Sequence, residues 1–333
     1  GRVRSGCAVM SRILITGATG FVGRAVIAAL RRDGHTLSGT TRQPDLGQGP
    51  GGIPLYRIGE LGPDLDWSAA VAGAEVVVHL AARVHMMKER ASKASGIHLM
   101  AHLATNAEGT MRLAEAAAKA GARRLVFMST AKVMGEETKS RPFVEADKPA
   151  PEDAYSVSKF EAEQVLAEIA AETGMEVTIL RPPLVYGPYV KGNFLSLLKL
   201  SQRAWPLPIA AIQNARSLIS VGNLASAVAA AATHPNAAGE TFLLSDGEDV
   251  STPELFRRTA AALGRSSRQI AIPVPLLALS GWALGRGDTI KRLTQSLQLD
   301  SGKIQRLLEW EPQETLDQGL ASTAKWFRAN RDG

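Results

Sequence analysis

An α/β chain built on a doubly wound parallel sheet is predicted by three observations. Short, mainly apolar runs, at residues 12–15 (RILI), 75–80 and 124–128, alternate with longer helical stretches. A strand covered by helices on both faces reads as such a run rather than as an apolar–polar alternation. The first run enters a glycine turn, TGATGFVG at 16–23, that opens directly into a helix. The strand–helix alternation persists to about residue 181 and loosens beyond it, which predicts a smaller C-terminal α/β lobe over a cleft.

The first strand, at 12–15, leads through the glycine turn into a helix at 24–30. Gly17 permits the tight turn, Gly20 lets backbone approach a phosphate, and Gly23 lets the helix lie close to the strand. The turn amides and the helix N-terminus then form an anion site of the kind that holds a dinucleotide pyrophosphate. The spacing is G-x-x-G-x-x-G. A second strand at 36–41 ends in Thr40-Thr41-Arg42. An acid at that end would accept hydrogen bonds from the adenine ribose, whereas an arginine pairs with a 2′-phosphate. With no carboxylate there, the sequence favours NADP(H), with NAD(H) as the alternative.

A Gly/Pro-rich loop covers 44–52, and a third strand at 53–58 ends in Gly59-Glu60-Leu61. After a short helix at 66–72, the fourth strand, 75–80, ends in Ala81-Ala82, small enough for a cofactor to lie across. His79, inside that strand, has no second ligand at metal spacing and reads as a core or turn-bonded residue; no metal site is expected. One long helix is expected over 98–120, carrying Asn106 and Gly109. The fifth strand, 124–128, delivers Ser129-Thr130 at its carboxyl end, where ligands of open α/β sheets bind.

The proline-rich loop 142–151 precedes a helix over 153–172. Tyr155 and Lys159, four residues apart, project from one face of it. A phenol has a pKa of about 10, and a neighbouring ammonium favours its ionised form. A hydroxyl of Ser129 or Thr130 could bind the same substrate oxygen. A sixth strand at 177–181 runs into RPPLVYGP (181–188); a helix begins at 191, a rigid turn lies at 205–208, and a strand at 216–221. Helices at 223–233 and 252–263 flank a strand at 241–244, and two helices, 301–310 and 315–328, end the chain.

With 333 residues, 45% apolar and 21% charged, the chain has ample core for one large or two smaller domains. A single cysteine, Cys7, excludes a disulfide framework and a cysteine metal site and places the protein by default in a reducing, cytoplasmic compartment. Residues 1–10 read as a leader, since Met10-Ser11 directly precedes the first strand. No segment reaches the roughly 20 apolar residues of a membrane span. The most apolar stretch, PLLALSGWALG at 275–285, is read as a core helix rather than a membrane-surface one. The net charge of +6 is spread along the chain, suiting an anionic small substrate rather than nucleic acid.

Together these motifs resemble the extended short-chain dehydrogenase/reductase superfamily, the branch of nucleotide-sugar epimerases, dehydratases and reductases, over nearly the whole chain. The resemblance implies a Rossmann-like domain at 11–181 and a mainly substrate-binding lobe at 182–330, with some chain returning to the first domain. It implies dinucleotide contacts at Gly17, Gly20, Phe21, Val22 and Gly23, at Thr41 and Arg42, and at Glu60 and Leu61. Further implied contacts are Leu80, Ala81 and Ala82 in H-x-A-A, Asn106 in N-x-x-G-T, Ser129, and Pro182 and Val185 in R-P-x-x-V-Y-G-P. Thr130, Tyr155 and Lys159 take the catalytic positions, the last two also touching cofactor; His85, Thr130, Asn193, Phe194 and Arg216 would meet the substrate. Met134 replaces the usual aromatic, and Lys132 sits close to the catalytic hydroxyl. HLAARVHMMKE, KGNF and LLSDGED are similar to a subgroup of bacterial surface-polysaccharide reductases of UDP-4-keto-6-deoxy-N-acetylhexosamine. The expectation is an NADPH-dependent 4-ketosugar reductase, as a homodimer. The alternatives are a UDP-hexose 4-epimerase holding NAD and, remotely, a non-catalytic dinucleotide sensor.

Overall fold

The computed structural model describes residues 10–43, 47–84, 95–203 and 205–330. His85, Cys7 and part of the loop at 44–52 lie outside the described residues.

The strands are β1 (Arg12–Thr16), β2 (Thr36–Thr41), β3 (Leu55–Arg57), β4 (Val76–His79), β5 (Arg124–Met128), β6 (Glu176–Arg181), β7 (Leu184–Tyr186), β8 (Arg216–Ser220), β9 (Thr241–Leu243) and β10 (Asp249–Val250). Seven form one parallel sheet in the order β3-β2-β1-β4-β5-β6-β9. The chain leaves β1 in one direction for β2 and β3, then returns to β4 on its other side. That reversal opens a crevice beyond the carboxyl ends of β1 and β4, where a doubly wound sheet binds its ligand. The remaining strands form a small sheet, β10-β8-β7, with β7 parallel to β8.

The helices are α1 (Phe21–Arg32), α2 (Ser68–Val71), α3 (Ser95–Leu103), α4 (Gly109–Lys119), α5 (Ala154–Thr173), α6 (Gly192–Arg203), α7 (Val221–Thr233), α8 (Thr252–Ala262), α9 (Val274–Ala283), α10 (Gly287–Thr294), α11 (Gly302–Leu308) and α12 (Leu316–Ala329). Alternate residues of β1 serve the two faces of the sheet. Ile13 and Ile15 join Val26, Ile27 and Leu30 of α1 and much of α7, whereas Leu14 joins Leu113 of α4, Leu166 of α5 and Phe127. Covering both faces removes the alternation a one-sided strand would show. Although α7 and β9 come from the second half of the chain, they pack on α1 and pair with β6.

Two sequence expectations are corrected. The single helix expected over 98–120 is two helices joined by a π turn at Ala104–Glu108. The π turn holds Asn106, whose amide bonds the Arg83 backbone and the Ser158 hydroxyl; such turns mark places where the helical ladder yields to a side-chain demand. The apolar stretch read as a core helix is α9, and it is mostly exposed: Leu277 and Gly281 are its buried residues, while Leu276, Leu279 and Trp282 are exposed.

Candidate active site

The glycine turn stands at the crevice. Gly17 has φ +68, and a Cβ there would lie 3.0 Å from the Ala81 amide nitrogen, so the turn after β1 touches the turn after β4. A Cβ on Gly23 would lie 2.3 Å from the Gly17 carbonyl, which only glycine avoids. Gly20 caps α1 without a side chain, and no acid stands in the first helical turn. The amides around Phe21 and Val22 therefore keep their donors for an anion, with the helix dipole behind them. These residues fit a dinucleotide pyrophosphate.

Behind the turn, a buried chain of hydrogen bonds sets the spacing of the two loops. The Thr110 hydroxyl donates to the Asn106 carbonyl at 2.6 Å and so accepts from His79 Nε2–H at 3.0 Å. His79 Nδ1 is then left to accept from Thr16 Oγ1–H at 2.7 Å. Thr16 Oγ1 accepts in turn from the amides of Leu80 and Ala81 at 3.2 and 3.1 Å. Burial, helped by the charge of Lys159, pushes the His79 pKa down to about 3, in keeping with this neutral tautomer. His79 is a turn-bonded core residue. Asn106 is 1% exposed, so its place in the cofactor site is indirect: it holds the Arg83 backbone.

At the outer end of β2, Arg42, Gln43, Arg57, Ile58, Gly59 and Glu60 line an open recess of about 640 Å³. Thr41 is buried, and its hydroxyl accepts from the Gln43 amide at 3.1 Å. Leu61 is half-buried beside Ile58 in the core below. Arg57, the end of β3, was not anticipated; its pairing beside Thr41 in parallel register places it next to Arg42.

Tyr155, Lys159 and Glu163 are spaced at four-residue intervals on one face of α5. Asp153 caps this helix, accepting from the Ser156 amide at 2.7 Å in a capping box. Tyr155 meets His102 edge-on, ring centroids 6.2 Å apart. Burial raises the phenol pKa above its ordinary value, so the protonated form persists at neutral pH. Lys159 was expected to draw the phenol toward ionisation; in the structure burial and then the Asp153 charge hold it protonated. The Lys159 ammonium sits over the Phe127 ring, 4.3 Å from its centroid, and burial pushes its pKa down to about 7, with Glu163 pulling the other way.

The Ser129 hydroxyl faces away from the cleft and donates to Glu163, which also takes a two-pronged bond from Arg181. Arg181 Nη1 reaches Met134 Sδ at 2.9 Å, so the methionine at this position is a partner of the buried guanidinium. Thr130 is nearly buried, at the start of the short turn Ala131–Val133. Pro182, also buried, accepts from the Ala131 amide at 2.8 Å, and Val185 is half-buried beyond it. The departure at Lys132 has a partner: its ammonium pairs with Asp153 at 2.5 Å and Glu136 at 2.6 Å. Burial opposes its charge, but the two carboxylates win and raise its pKa. This pair ties the Thr130 turn to the head of the tyrosine helix.

The expected substrate residues separate. Asn193 is exposed in the first turn of α6. Phe194 is fully buried and stacked on Tyr186, with centroids 5.4 Å apart, so its ring is core and only its backbone can meet a ligand. Arg216 is half-buried; Nη1 donates to the carbonyls of Arg292 and Gln295 at 3.0 and 2.9 Å. Burial lowers its pKa and Glu136 opposes this, which puts Arg216 within the field of the Lys132–Glu136 pair. Glu163 was absent from the sequence reading, although its four-residue offset from Lys159 could have found it.

Known proteins share this architecture. The UDP-glucose 4-epimerase of Vibrio cholerae is 38% identical over 317 residues, 95% of each chain. The N-acetyl-alpha-D-glucosaminyl-diphospho-ditrans,octacis-undecaprenol 4-epimerase of Escherichia coli O157:H7 is 26% identical over 94% of each. A solved structure, MoeE5 in complex with UDP-glucose and NAD, matches with a TM-score of 0.75 and 25% identity over 96% of this chain and 100% of that one. Residues 13–245 match the NAD dependent epimerase/dehydratase family, and the chain is an enzyme belonging to that family, within the extended short-chain dehydrogenases/reductases.

Proposed function

We propose that this enzyme uses NADPH to reduce a nucleotide-linked 4-keto sugar to its 4-hydroxy sugar, with UDP-4-keto-6-deoxy-N-acetylhexosamine as the substrate. The observation that carries this reading is the recess at the ends of β2 and β3. Two arginines, Arg42 and Arg57, line it, and β2 ends in Thr41 rather than an acid. The crevice would hold the reduced cofactor, whose chemistry there would be hydride transfer to the sugar carbon. Tyr155, kept as a phenol by burial, donates a proton to the carbonyl oxygen. Lys159, near neutrality in its pKa, can hold a ribose hydroxyl and compensate the tyrosinate that forms. The Thr130 hydroxyl orients the carbonyl, and Arg216 with Asn193 takes the diphosphate. A homodimer is part of the same reading.

The Vibrio relative favours a second reading, a UDP-hexose 4-epimerase that retains NAD. That reaction must first remove a hydroxyl proton, so it needs Tyr155 ionised at the start of the cycle. One experiment separates them. The purified protein is denatured and its released nucleotide identified, then assayed for NADPH oxidation with the 4-keto sugar and for UDP-glucose/UDP-galactose interconversion. The reductase reading expects little bound nucleotide and stoichiometric NADPH consumption. Stoichiometric NAD with interconversion and no NADPH oxidation rejects it.

A further inference from the structure

The exposed large apolar side chains of the described surface are concentrated around α9. Of thirteen large apolar side chains left exposed among the described residues, five fall within 270–284: Ile270, Leu276, Leu279, Trp282 and Leu284. On α9, successive residues advance by about 100°, so Leu276, Leu279 and Trp282 share the side opposite Leu277 and Gly281. The inward side is well used. Leu277 packs with Ile209, Ile212 and Phe256, and Gly281 lets Ile290 of α10 approach so closely that a Cβ would meet it at 2.5 Å. The outward side has no partner among the described residues. Trp282 is 78% exposed, more than any other large apolar side chain described.

The sequence flanking this face is predominantly basic. Residues 261–294 carry five basic side chains, Arg265, Arg268, Arg286, Lys291 and Arg292, against a single acid, Asp288. We propose that α9 docks on an anionic lipid bilayer, its Leu276–Leu279–Trp282 side entering the headgroup layer while the flanking basic residues meet the lipid phosphates. The helix is ten residues long, and among the described residues none is long and apolar enough to cross a membrane, so the protein lies on the bilayer. An indole at the edge of an apolar face suits the interface, where its ring is buried and its N–H stays wet. A second copy of the chain is disfavoured as the occupant, because a two-fold contact through this face would bring the basic flanks together. Docking also orients the crevice. Arg216 grips the carbonyls of Arg292 and Gln295 at the end of α10, so its side of the cleft would lie close to the membrane. The proposal does not depend on which sugar is reduced.

The test is flotation of the full-length protein with vesicles of pure phosphatidylcholine and of phosphatidylcholine with 30% phosphatidylglycerol. The expected result is flotation with the anionic vesicles at low salt, weakened by raised salt and absent with the neutral ones. Leu279→Glu/Trp282→Glu, at exposed positions, should abolish it with an unchanged thermal midpoint. Arg286→Gln and Lys291→Gln should each weaken partitioning about fivefold, the equivalent of about 1 kcal/mol per charge. Failure to float with anionic vesicles at low salt overturns the proposal. So does flotation undiminished in both variant sets. A fall in oligomer mass for Leu279→Glu/Trp282→Glu by light scattering, without vesicle binding by the parent protein, assigns the face to a second copy instead.

Discussion

The buried pair between Glu163 and Arg181 should dominate the stability of α5, the helix that carries Tyr155 and Lys159. Side-chain exposures are 2% and 7%, and the carboxylate accepts from Arg181 Nε and Nη2 and from the Ser129 hydroxyl. In Glu163→Ala, the guanidinium stays buried with only Met134 Sδ and the Ser129 hydroxyl loses its acceptor. Breaking a buried pair on one side costs about 3–5 kcal/mol, and the orphaned hydroxyl pushes the loss toward the upper end. Glu163→Leu/Arg181→Met removes both charges and keeps volume, so most of that stability should return. The exposed Arg141–Asp147 pair, where Arg141 is 60% exposed, gives the contrast: Arg141→Ala should cost no more than about 1 kcal/mol. Urea unfolding of all four proteins at pH 7 measures this. A Glu163→Ala loss below about 1 kcal/mol, or no recovery in the double variant, refutes the argument that burial sets the magnitude.

Three further outcomes are expected. Tyr155→Phe should lower kcat by about 10²–10⁴ with NADPH affinity unchanged by fluorescence titration; near-normal turnover would remove Tyr155 as the acid. Arg42→Asp should cost NADPH affinity about tenfold or more relative to NADH, and an unmutated enzyme with equal affinities for both would end the 2′-phosphate argument. Lys159 titrates at about 7 in the fold against 10.5 ordinarily, so between those values the unfolded chain binds more protons and stability rises with pH. From pH 7 to 9 this group contributes up to about 1.4 kcal/mol per pH unit, a slope that Lys159→Met should lack; identical slopes in urea melts would show that Lys159 is ordinarily solvated.

The strand ends and the glycine turn were legible because local chemistry dictates them. The expected limits 36–41 and 124–128 coincide with β2 and β5, since a short threonine-rich or apolar run bounded by turn residues has few alternatives. Tyr155 and Lys159 share a face because helical spacing requires it. The 98–120 stretch was misread because helix periodicity carries no signal for a single π turn demanded by an amide reaching the next loop. Phe194 looked like a ligand contact by position, yet its ring fills the core under Tyr186.

The sequence by itself determined that this protein has a parallel α/β sheet, a glycine turn at its start and a tyrosine–lysine pair on one helix face. Each follows from residues within a few positions of one another. Tertiary structure alone decided that β9 and α7 of the second half complete the first sheet and that Ser129 turns to Glu163. It also brought Arg57 beside Arg42 and left one face of α9 exposed. The physical reason is common to all four: exposure and pKa depend on which distant groups displace water from a side chain, and chain neighbours carry no information about that.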